Sequence, residues 1–186
     1  MKRIGICGTG TMGATMAQIF AEQGYETLLW GRTESSLERG RQILTIGESQ
    51  CLKLTTQLED LSDCDIIIES IAEHLETKQD FFEKLSHMVR PDTILATNTS
   101  GLSMNRICER VQGRERFLGM HWFNPSNMIP LIEIICNDKT YPIRQNRQLQ
   151  TVHKPHIGSP NHISSPHPHL QPMPHHFPQW TYTLLK

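Results

Sequence analysis

The chain has 186 residues, of which 37% are hydrophobic and 20% charged, and its formal net charge is −1. This length suffices for one domain with a real core, while a near-neutral charge without a basic, aromatic-laced patch argues against nucleic acid as a partner. The five cysteines form no CxxC pair, so we expect no disulfide framework and no metal site. The sequence shows no signal peptide and no apolar run of membrane length, so we expect a cytoplasmic protein with no membrane partner.

A glycine-rich loop follows the first predicted strand, residues 3–7 (RIGIC). The next segment, ATMAQIFAEQG, consists of helix formers with Met16, Ile19 and Phe20 at helical spacing, and a second strand, ETLLWG, comes after it. A strand, a GxGxxG loop, a helix and a strand within about 30 residues are typical of dinucleotide-binding folds.

Each position of the loop has a physical task in such a fold. The first glycine permits a tight turn, the second lets a pyrophosphate approach the backbone, and the third allows close packing of helix on strand. The N-terminus of the helix faces the anion. We therefore predict that the cofactor is held by Gly8, Gly10, Thr11, Met12 and Gly13.

The end of the second predicted strand departs from the usual NAD-binding pattern. Folds that bind NAD usually have an Asp or Glu about 20 residues after the loop, which bonds the ribose hydroxyls. Here that position is Gly31, and Arg32 follows it. An Arg after an uncharged residue suits a 2′-phosphate, so NADP is a rival to NAD. Arg32 is equally compatible with stacking on adenine or with solvent, and Glu34 is a second candidate for the ribose.

Strands and helices continue to alternate through the first 138 residues. A charged helix is predicted over residues 34–48, the strongest buried strand over 65–69 (DIIIE), and after it a helix with Phe82 and Leu85 on its apolar face. Further strands are predicted at TILATNTS, FLGMHWF and PLIEII, with a helix around MNRICERV. This alternation with continuous apolar strands indicates an α/β fold, a Rossmann-type doubly wound and mostly parallel sheet.

Four motifs carry a family resemblance: GTGTMG, ESIAEHLETK, ATNTSGLS and RFLGMHWFNPSNMIPLIEII. Over about residues 1–138 the chain resembles the NAD-binding domain of L-3-hydroxyacyl-CoA dehydrogenases, including the 3-hydroxybutyryl-CoA enzymes. The resemblance implies an oxidoreductase of fatty acid and butanoate metabolism. Its hydride would pass between NAD and C3 of a short 3-hydroxyacyl-CoA, which becomes the 3-oxoacyl-CoA.

The resemblance also implies roles for individual residues. His121 is the base that removes the proton of the C3 hydroxyl, Glu133 orients and polarises that base, and Ser100 bonds the 3-oxygen of the substrate. These residue types suit the task, because His transfers protons near neutral pH and a carboxylate partner fixes its tautomer. Three more positions match residues beside the cofactor or substrate, although each type also occurs as a helix cap, a solvated charge or a turn residue: Glu73, Lys78 and Asn98.

The resemblance ends abruptly near residue 140. Residues 139–186 contain no acid, seven of the ten His and eight of the eleven Pro, so they lack the apolar surface that offsets the entropy cost of ordering. We predict a dinucleotide-binding domain over 1–140, incomplete at its C-terminal end, and a disordered tail over 141–186. The composition of the tail resembles out-of-frame translation. A His-rich metal-binding tail is the alternative, but its ligand spacing is irregular.

The segments that do not match affect the expected activity. The family has a helical domain that shapes the acyl pocket and forms the dimer, so we expect this chain alone to be a poor enzyme with most of the dimer interface missing. The alternative is a non-catalytic dinucleotide-binding remnant. Only 33 residues separate Gly31 from Asp65, where many family members have a longer hairpin that meets CoA, so a relative acting on free hydroxy acids is a third possibility.

Overall fold

The computed structural model describes residues 2–47, 51–126, 128–129 and 131–140, together with the backbone of 150–153 and 181–184. Within these residues a nine-stranded sheet carries helices on both faces. Its strands are β1 (Arg3–Cys7), β2 (Glu26–Trp30), β3 (Leu52–Thr55), β4 (Ile66–Glu69), β5 (Ile94–Thr97), β6 (Phe117–Trp122), β7 (Leu131–Cys136), β8 (Gln150–His153) and β9 (Thr181–Leu184). The helices are α1 (Thr11–Glu22), α2 (Glu34–Ile43), α3 (Leu75–Met88) and α4 (Met104–Ile107), with 3₁₀ turns at Leu58–Leu61, Cys108–Arg110 and Arg114–Arg116.

The strand order creates a crevice at the carboxyl ends of two central strands. The order is β3-β2-β1-β4-β5-β6-β7-β8-β9, and the pairs from β3 through β6 are parallel. The pairs from β6 to β9 are antiparallel. The chain winds outward from β1 and then, in the other direction, from β4, so the order reverses between these two neighbours. The predicted α/β fold with a doubly wound, mostly parallel sheet is confirmed.

Two apolar cores lie on opposite faces of the sheet. Met16 and Phe20 of α1 pack in one core with Ile68, whereas Phe82 of α3 packs in the other with Ile67. Because side chains alternate between the faces of a strand, a strand covered on both sides must be apolar throughout. The uninterrupted run of isoleucines in β4 meets this requirement, and the predicted apolar faces of both helices are buried as expected.

The structure differs from the sequence prediction in two places between β2 and β4. Strand β3 was not predicted; it pairs in parallel with β2 and forms one edge of the sheet. The helix predicted over residues 34–48 ends earlier, at Ile43, where Leu44 turns to an extended conformation with ψ 131°. The residues after it, Thr45, Ile46 and Gly47, are poor helix formers, which accounts for the earlier end.

Most of the predicted tail, 141–186, lies outside the described residues. Of that range the structure describes strands β8 and β9, which extend the sheet beyond β7. The domain boundary at residue 140 and the disorder of the tail stay predictions. In the described part of the chain no helix has the length and apolar character to cross a membrane, and no cluster of three or more His, Cys, Asp or Glu could hold a metal.

Candidate active site

The predicted site residues gather at the carboxyl edge of the sheet, by which we mean the side on which the strands β1, β4, β5 and β6 end. The glycine loop follows β1, Glu73 follows β4, and Ser100 follows β5. His121 is the last residue but one of β6. Ligands of open α/β sheets bind at this end of the strands, beside the point where the strand order reverses.

The glycine loop is built so that two of its glycines cannot be replaced. Gly8 has φ +116°, and a Cβ there would lie 2.3 Å from the carbonyl oxygen of Ser70. A Cβ on Gly13 would lie 1.9 Å from the carbonyl oxygen of Gly8. Gly10 differs, because a Cβ there would meet nothing within 4 Å. The protein therefore leaves open the space in front of Gly10.

The loop and the start of α1 fit the pyrophosphate of a dinucleotide. The first bond of the helix is donated by the N–H of Ala14 to the carbonyl of Gly10, at 2.9 Å, so the preceding N–H groups, from Thr11 to Gly13, face the open space before the helix. The first turn contains no acidic residue that would repel an anion. Thr11 is exposed and Met12 is partly buried, so the predicted set surrounds one accessible cradle.

His121 and Glu133 face each other across two paired strands. They are register partners in the antiparallel pair of β6 and β7, and Nδ1 of His121 lies 2.9 Å from Oε2 of Glu133. Both side chains are largely buried, with 20% and 24% exposed. The ring of Phe123 packs against the imidazole, with the ring centroids 4.7 Å apart. The predicted meeting of the two residues is observed, while their catalytic roles stay predictions.

This geometry assigns the tautomer of the imidazole. A carboxylate is an acceptor only, so the hydrogen of a neutral His121 belongs on Nδ1, where it is donated to Glu133. Nε2 then carries the lone pair and is the nitrogen that can accept a proton.

Asn98 joins the ends of three strands next to His121. Its side-chain oxygen accepts the N–H of Trp122 at 2.8 Å, and its amide nitrogen donates to the hydroxyl of Ser70 at 3.3 Å. Its own N–H donates to the carbonyl of Glu69 at 2.7 Å. Both ends of the amide thus bond to neighbouring strands, so Asn98 is a residue that positions the ends of these strands. The predicted contact of Asn98 with a cofactor or substrate stays a prediction.

An ion pair closed to solvent lies beneath this edge. Nζ of Lys78 is 2.6 Å from Oε1 of Glu69 and 3.3 Å from Oε2 of Glu73, and the Lys78 and Glu69 side chains are 1% and 0% exposed. Glu69 also accepts the Thr97 hydroxyl at 2.7 Å and the Ile71 N–H at 2.6 Å. Burial raises the pKa of Glu69, and the Lys78 ammonium and these two donors oppose the rise.

Glu73 extends this network to the segment that carries Ser100. Its Oε1 accepts the hydroxyl of Thr99 and, at 3.1 Å, the N–H of Ser100. Burial acts to raise the pKa of Glu73, but the Thr99 hydroxyl and the Lys78 ammonium outweigh it and hold the pKa below its ordinary value. The structure therefore brings Glu73, Lys78 and Ser100 together, with Ser100 exposed at the edge of the sheet.

Sequence reasoning missed Glu69, which it treated as the last residue of an apolar strand. Its carboxylate joins the end of β4 to α3 and to the end of β5, so it sets the shape of the edge. The signal was present, because an acid that closes a run of three isoleucines must be paired if it is buried. Lys78 is that partner, and its predicted contact with a cofactor stays a prediction.

Arg32 lies apart from these residues, directly after β2, where the adenosine end of a dinucleotide binds in such folds. Its side chain is exposed, whereas Gly31 before it is buried. Thr33 caps α2, with its hydroxyl accepting the N–H of Ser36 at 3.2 Å. We name two groups of the predicted residues by their predicted roles: the ribose group (Arg32) after β2 and the proton-transfer group (Ser100 and His121) at the ends of β5 and β6.

Comparison with known proteins agrees with this arrangement. Residues 3–154 match the family described as "3-hydroxyacyl-CoA dehydrogenase, NAD binding domain". A 3-hydroxybutyryl-CoA dehydrogenase of Clostridioides difficile is 34% identical over 155 residues, which are 74% of this chain and 55% of that protein. A 5-formyl-3-hydroxy-2-methylpyridine 4-carboxylate 5-dehydrogenase of Mesorhizobium japonicum is 31% identical, with 76% of this chain and 51% of that protein covered.

Solved structures agree as well. The crystal structure of 3-hydroxybutyryl-CoA dehydrogenase from Escherichia coli has a TM-score of 0.69 at 28% identity, with 77% of this chain and 34% of that chain covered. The chain spans about half the length of the curated relatives it matches. The description of the matching family names NAD as the cofactor, which the resemblance also implied. With most of its length matched, the chain belongs to the NAD-binding domain family of the 3-hydroxyacyl-CoA dehydrogenases.

Proposed function

We propose that this chain forms the dinucleotide-binding and proton-transferring part of an NAD-dependent oxidoreductase of the 3-hydroxyacyl-CoA dehydrogenase type. The observation that carries the proposal is the pair of His121 and Glu133, 2.9 Å apart, at the same edge of the sheet as the glycine loop. A base oriented by a carboxylate beside a dinucleotide site is suited to the interconversion of an alcohol and a ketone.

The residues of the chain divide the work as follows. NAD, when bound, supplies the hydride acceptor. Nε2 of His121 takes the proton of the C3 hydroxyl, and the carboxylate of Glu133 stabilises the imidazolium that results. We assign the hydroxyl of Ser100 to the 3-oxygen of the substrate. In the reverse direction the imidazolium of His121 returns the proton to that oxygen.

Two groups of residues would hold the cofactor. The backbone of the glycine loop and of the first turn of α1 would bind the pyrophosphate: Gly8, Gly10, Thr11, Met12 and Gly13. Glu73 has an exposed carboxylate at the end of β4, on the side of the proton-transfer group, and we assign it to the nicotinamide ribose. Lys78 and Asn98 would act on the cofactor by holding Glu73 and the end of β6 in place.

Short 3-hydroxyacyl-CoA thioesters are the proposed substrates, because similar relatives are named 3-hydroxybutyryl-CoA dehydrogenases. A free hydroxy acid is the second candidate. It is favoured by the 33-residue connection from Gly31 to Asp65 and by the Mesorhizobium japonicum relative, whose name specifies a pyridine carboxylate. A cytoplasmic location is part of the proposal, since an odd number of cysteines outside CxxC pairs suits a reducing compartment.

The experiment uses the full chain in two assays. NADH binding is measured by the change of its fluorescence, and turnover by NADH oxidation in the presence of acetoacetyl-CoA or, separately, of a short free 3-oxo acid. The variant is His121→Ala, and the matched control is His87→Ala, which removes an exposed His at the end of α3. Since we expect the chain alone to be a poor enzyme, its turnover should be low, and His121→Ala should lower whatever turnover is measured by at least about 10²-fold without changing NADH binding.

Each result separates the alternatives. Turnover that depends on His121 supports the proposal, and the substrate that is turned over decides between thioester and free acid. NADH binding without turnover of either substrate would favour a non-catalytic dinucleotide-binding remnant. A chain that does not bind NADH would contradict both the proposed dehydrogenase and the dinucleotide-binding remnant.

A further inference from the structure

The pocket after β2 has no room for the acid that usually selects NAD. A Cβ placed on Gly31 would lie 2.6 Å from Oγ of Ser36 and 2.8 Å from a methyl carbon of Leu37 and of Thr9. Real Cβ atoms do not approach other heavy atoms this closely. An Asp at this position would therefore require the side chains of Ser36, Leu37 and Thr9 to shift.

The neighbour that crowds Gly31 most is held in place. Oγ of Ser36 donates to the carbonyl of Thr33 at 2.7 Å. It also accepts the N–H of Thr33 at 3.2 Å, and this bond, with the one from the Ser36 N–H to the Thr33 hydroxyl, forms the capping box of α2. Ser36 is buried, so turning its side chain away would break both bonds. Gly31 is thus closely packed at the junction between β2 and α2, so recognition of a ribose at this place would fall to an adjacent polar group.

The groups that face solvent at this junction suit an anion. Arg32 is exposed, and within the part of the chain that the structure describes its guanidinium has no carboxylate partner. The hydroxyls of Thr33 and Ser35, which follow Arg32 in the sequence, are hydrogen-bonded to each other at 3.0 Å, so one of their two hydrogens is free to donate. One carboxylate, that of Glu34 in the first turn of α2, opposes an anion here. A 2′-phosphate presents several acceptor oxygens, which an Arg fork and the free hydrogen of this hydroxyl pair can satisfy.

We propose that Arg32, with Thr33 and Ser35, binds the 2′-phosphate of NADP(H), so that this chain does not select NAD(H) over NADP(H). The inference rests on the proposed function, because it requires that a dinucleotide binds along this edge. It adds which dinucleotides the chain accepts. This choice is made where the adenosine ribose binds and does not depend on the proton-transfer group. NAD binds through the same loop, whereas the 2′-phosphate adds contacts that only NADP(H) makes.

The test compares NADH and NADPH binding to the full chain by fluorescence titration. We expect the dissociation constant for NADPH to be no higher than that for NADH at low salt, and to rise more steeply with salt, because charge contacts are screened. Arg32→Ala should raise the dissociation constant for NADPH about tenfold or more and change that for NADH by less than about twofold. Arg39→Ala, which removes an exposed Arg later in α2, is the matched control and should change neither.

Three outcomes overturn the inference in distinguishable ways. NADH bound more than about tenfold tighter than NADPH would show that the site selects NAD after all. Equal weakening of both dinucleotides by Arg32→Ala would assign Arg32 to the adenine instead. If neither dinucleotide binds, the proposed function fails together with the inference. Glu34→Gln gives an independent check, since removing this carboxylate should tighten NADPH binding more than NADH binding.

Discussion

Glu69 and Lys78 form an ion pair that solvent does not reach: their charged atoms lie 2.6 Å apart, and the side chains are 0% and 1% exposed. Breaking a buried pair by removing one charge is costly, because the remaining charge loses its nearest partner in a medium of low polarity. Without the Glu69 carboxylate, Lys78 would keep the longer contact of 3.3 Å with the partly exposed Glu73. We expect Glu69→Gln to lower the free energy of unfolding by about 3–5 kcal/mol in urea denaturation.

An exposed pair gives the matched control for this prediction. Arg110 and Asp80 approach to 2.5 Å, but their side chains are 47% and 69% exposed. Asp80→Asn should therefore cost less than about 1 kcal/mol. Equal effects of the two substitutions would show that burial of Glu69 does not govern its contribution. The double change Glu69→Leu with Lys78→Met should cost less than Glu69→Gln alone, because it leaves fewer uncompensated charges.

Gly10→Ala should separate ligand binding from folding. The backbone at Gly10 has φ −70° and ψ 178°, which Ala adopts without strain, and a Cβ there meets nothing within 4 Å. We expect the stability to stay the same or rise by about 0.4–1 kcal/mol, and the affinity for NADH to fall at least about tenfold, since the methyl group enters the space of the pyrophosphate. Thermal unfolding and NADH titration measure the two effects.

The control for that variant is Gly47→Ala, which also places a Cβ in open space, outside the glycine loop. It should leave NADH affinity unchanged. Undiminished NADH binding by Gly10→Ala would rule out the loop as the pyrophosphate site. Gly13→Ala is not a useful substitute, because its Cβ would lie 1.9 Å from a backbone oxygen and the loop itself would distort.

The tautomer of His121 can be measured directly, independently of turnover. In ¹⁵N NMR spectra we expect the neutral ring of His121 to carry its hydrogen on Nδ1, which donates to Glu133. Glu133→Ala should convert this signal into a mixture of tautomers, while that of His87, exposed in α3, stays the same. The signal is assigned by its loss in His121→Ala. A wild-type ring with its hydrogen on Nε2 would contradict the proposed base.

Asp65 should contribute to stability only above acid pH. Burial raises the pKa of its carboxyl, but the Arg3 N–H at 2.9 Å and the Arg90 guanidinium at 2.8 Å outweigh that and hold the pKa below its ordinary value of 3.8. For a carboxyl with a depressed folded-state pKa, the stabilisation is present above the unfolded pKa and is lost as the pH falls through the folded pKa.

We therefore expect Asp65→Asn to lower the free energy of unfolding by about 1 kcal/mol at pH 7 and by progressively less below pH 4. Urea denaturation of wild type and variant between pH 3 and pH 7 measures this difference. Asp63→Asn, which changes an exposed neighbour, is the control. A difference that stays constant over the whole pH range would contradict the assigned pKa.

Local patterns were sufficient for the fold class and for the cofactor loop. The strand before Gly8, the helix after Gly13 and the apolar run of β4 are each encoded in a few consecutive residues, so their types were predicted and are observed. Strand β3 was missed because its four residues give too short a pattern, and its pairing with β2 depends on tertiary contacts. The early end of α2 was missed because the predicted helix was extended to Glu48 across residues 44–47, which carry no charge and include Thr45 and Gly47.

The sequence by itself determined which residue types stand in or directly after the strands: the glycines, Ser100, His121 and Glu133. Only the tertiary structure decided how they are joined, since the bonds of Asn98 to Ser70 and Trp122 and those of Glu69 to Lys78 and Thr97 depend on which strands lie side by side. Local periodicity reports the face on which a side chain lies, but strand order and register decide which distant residue it meets.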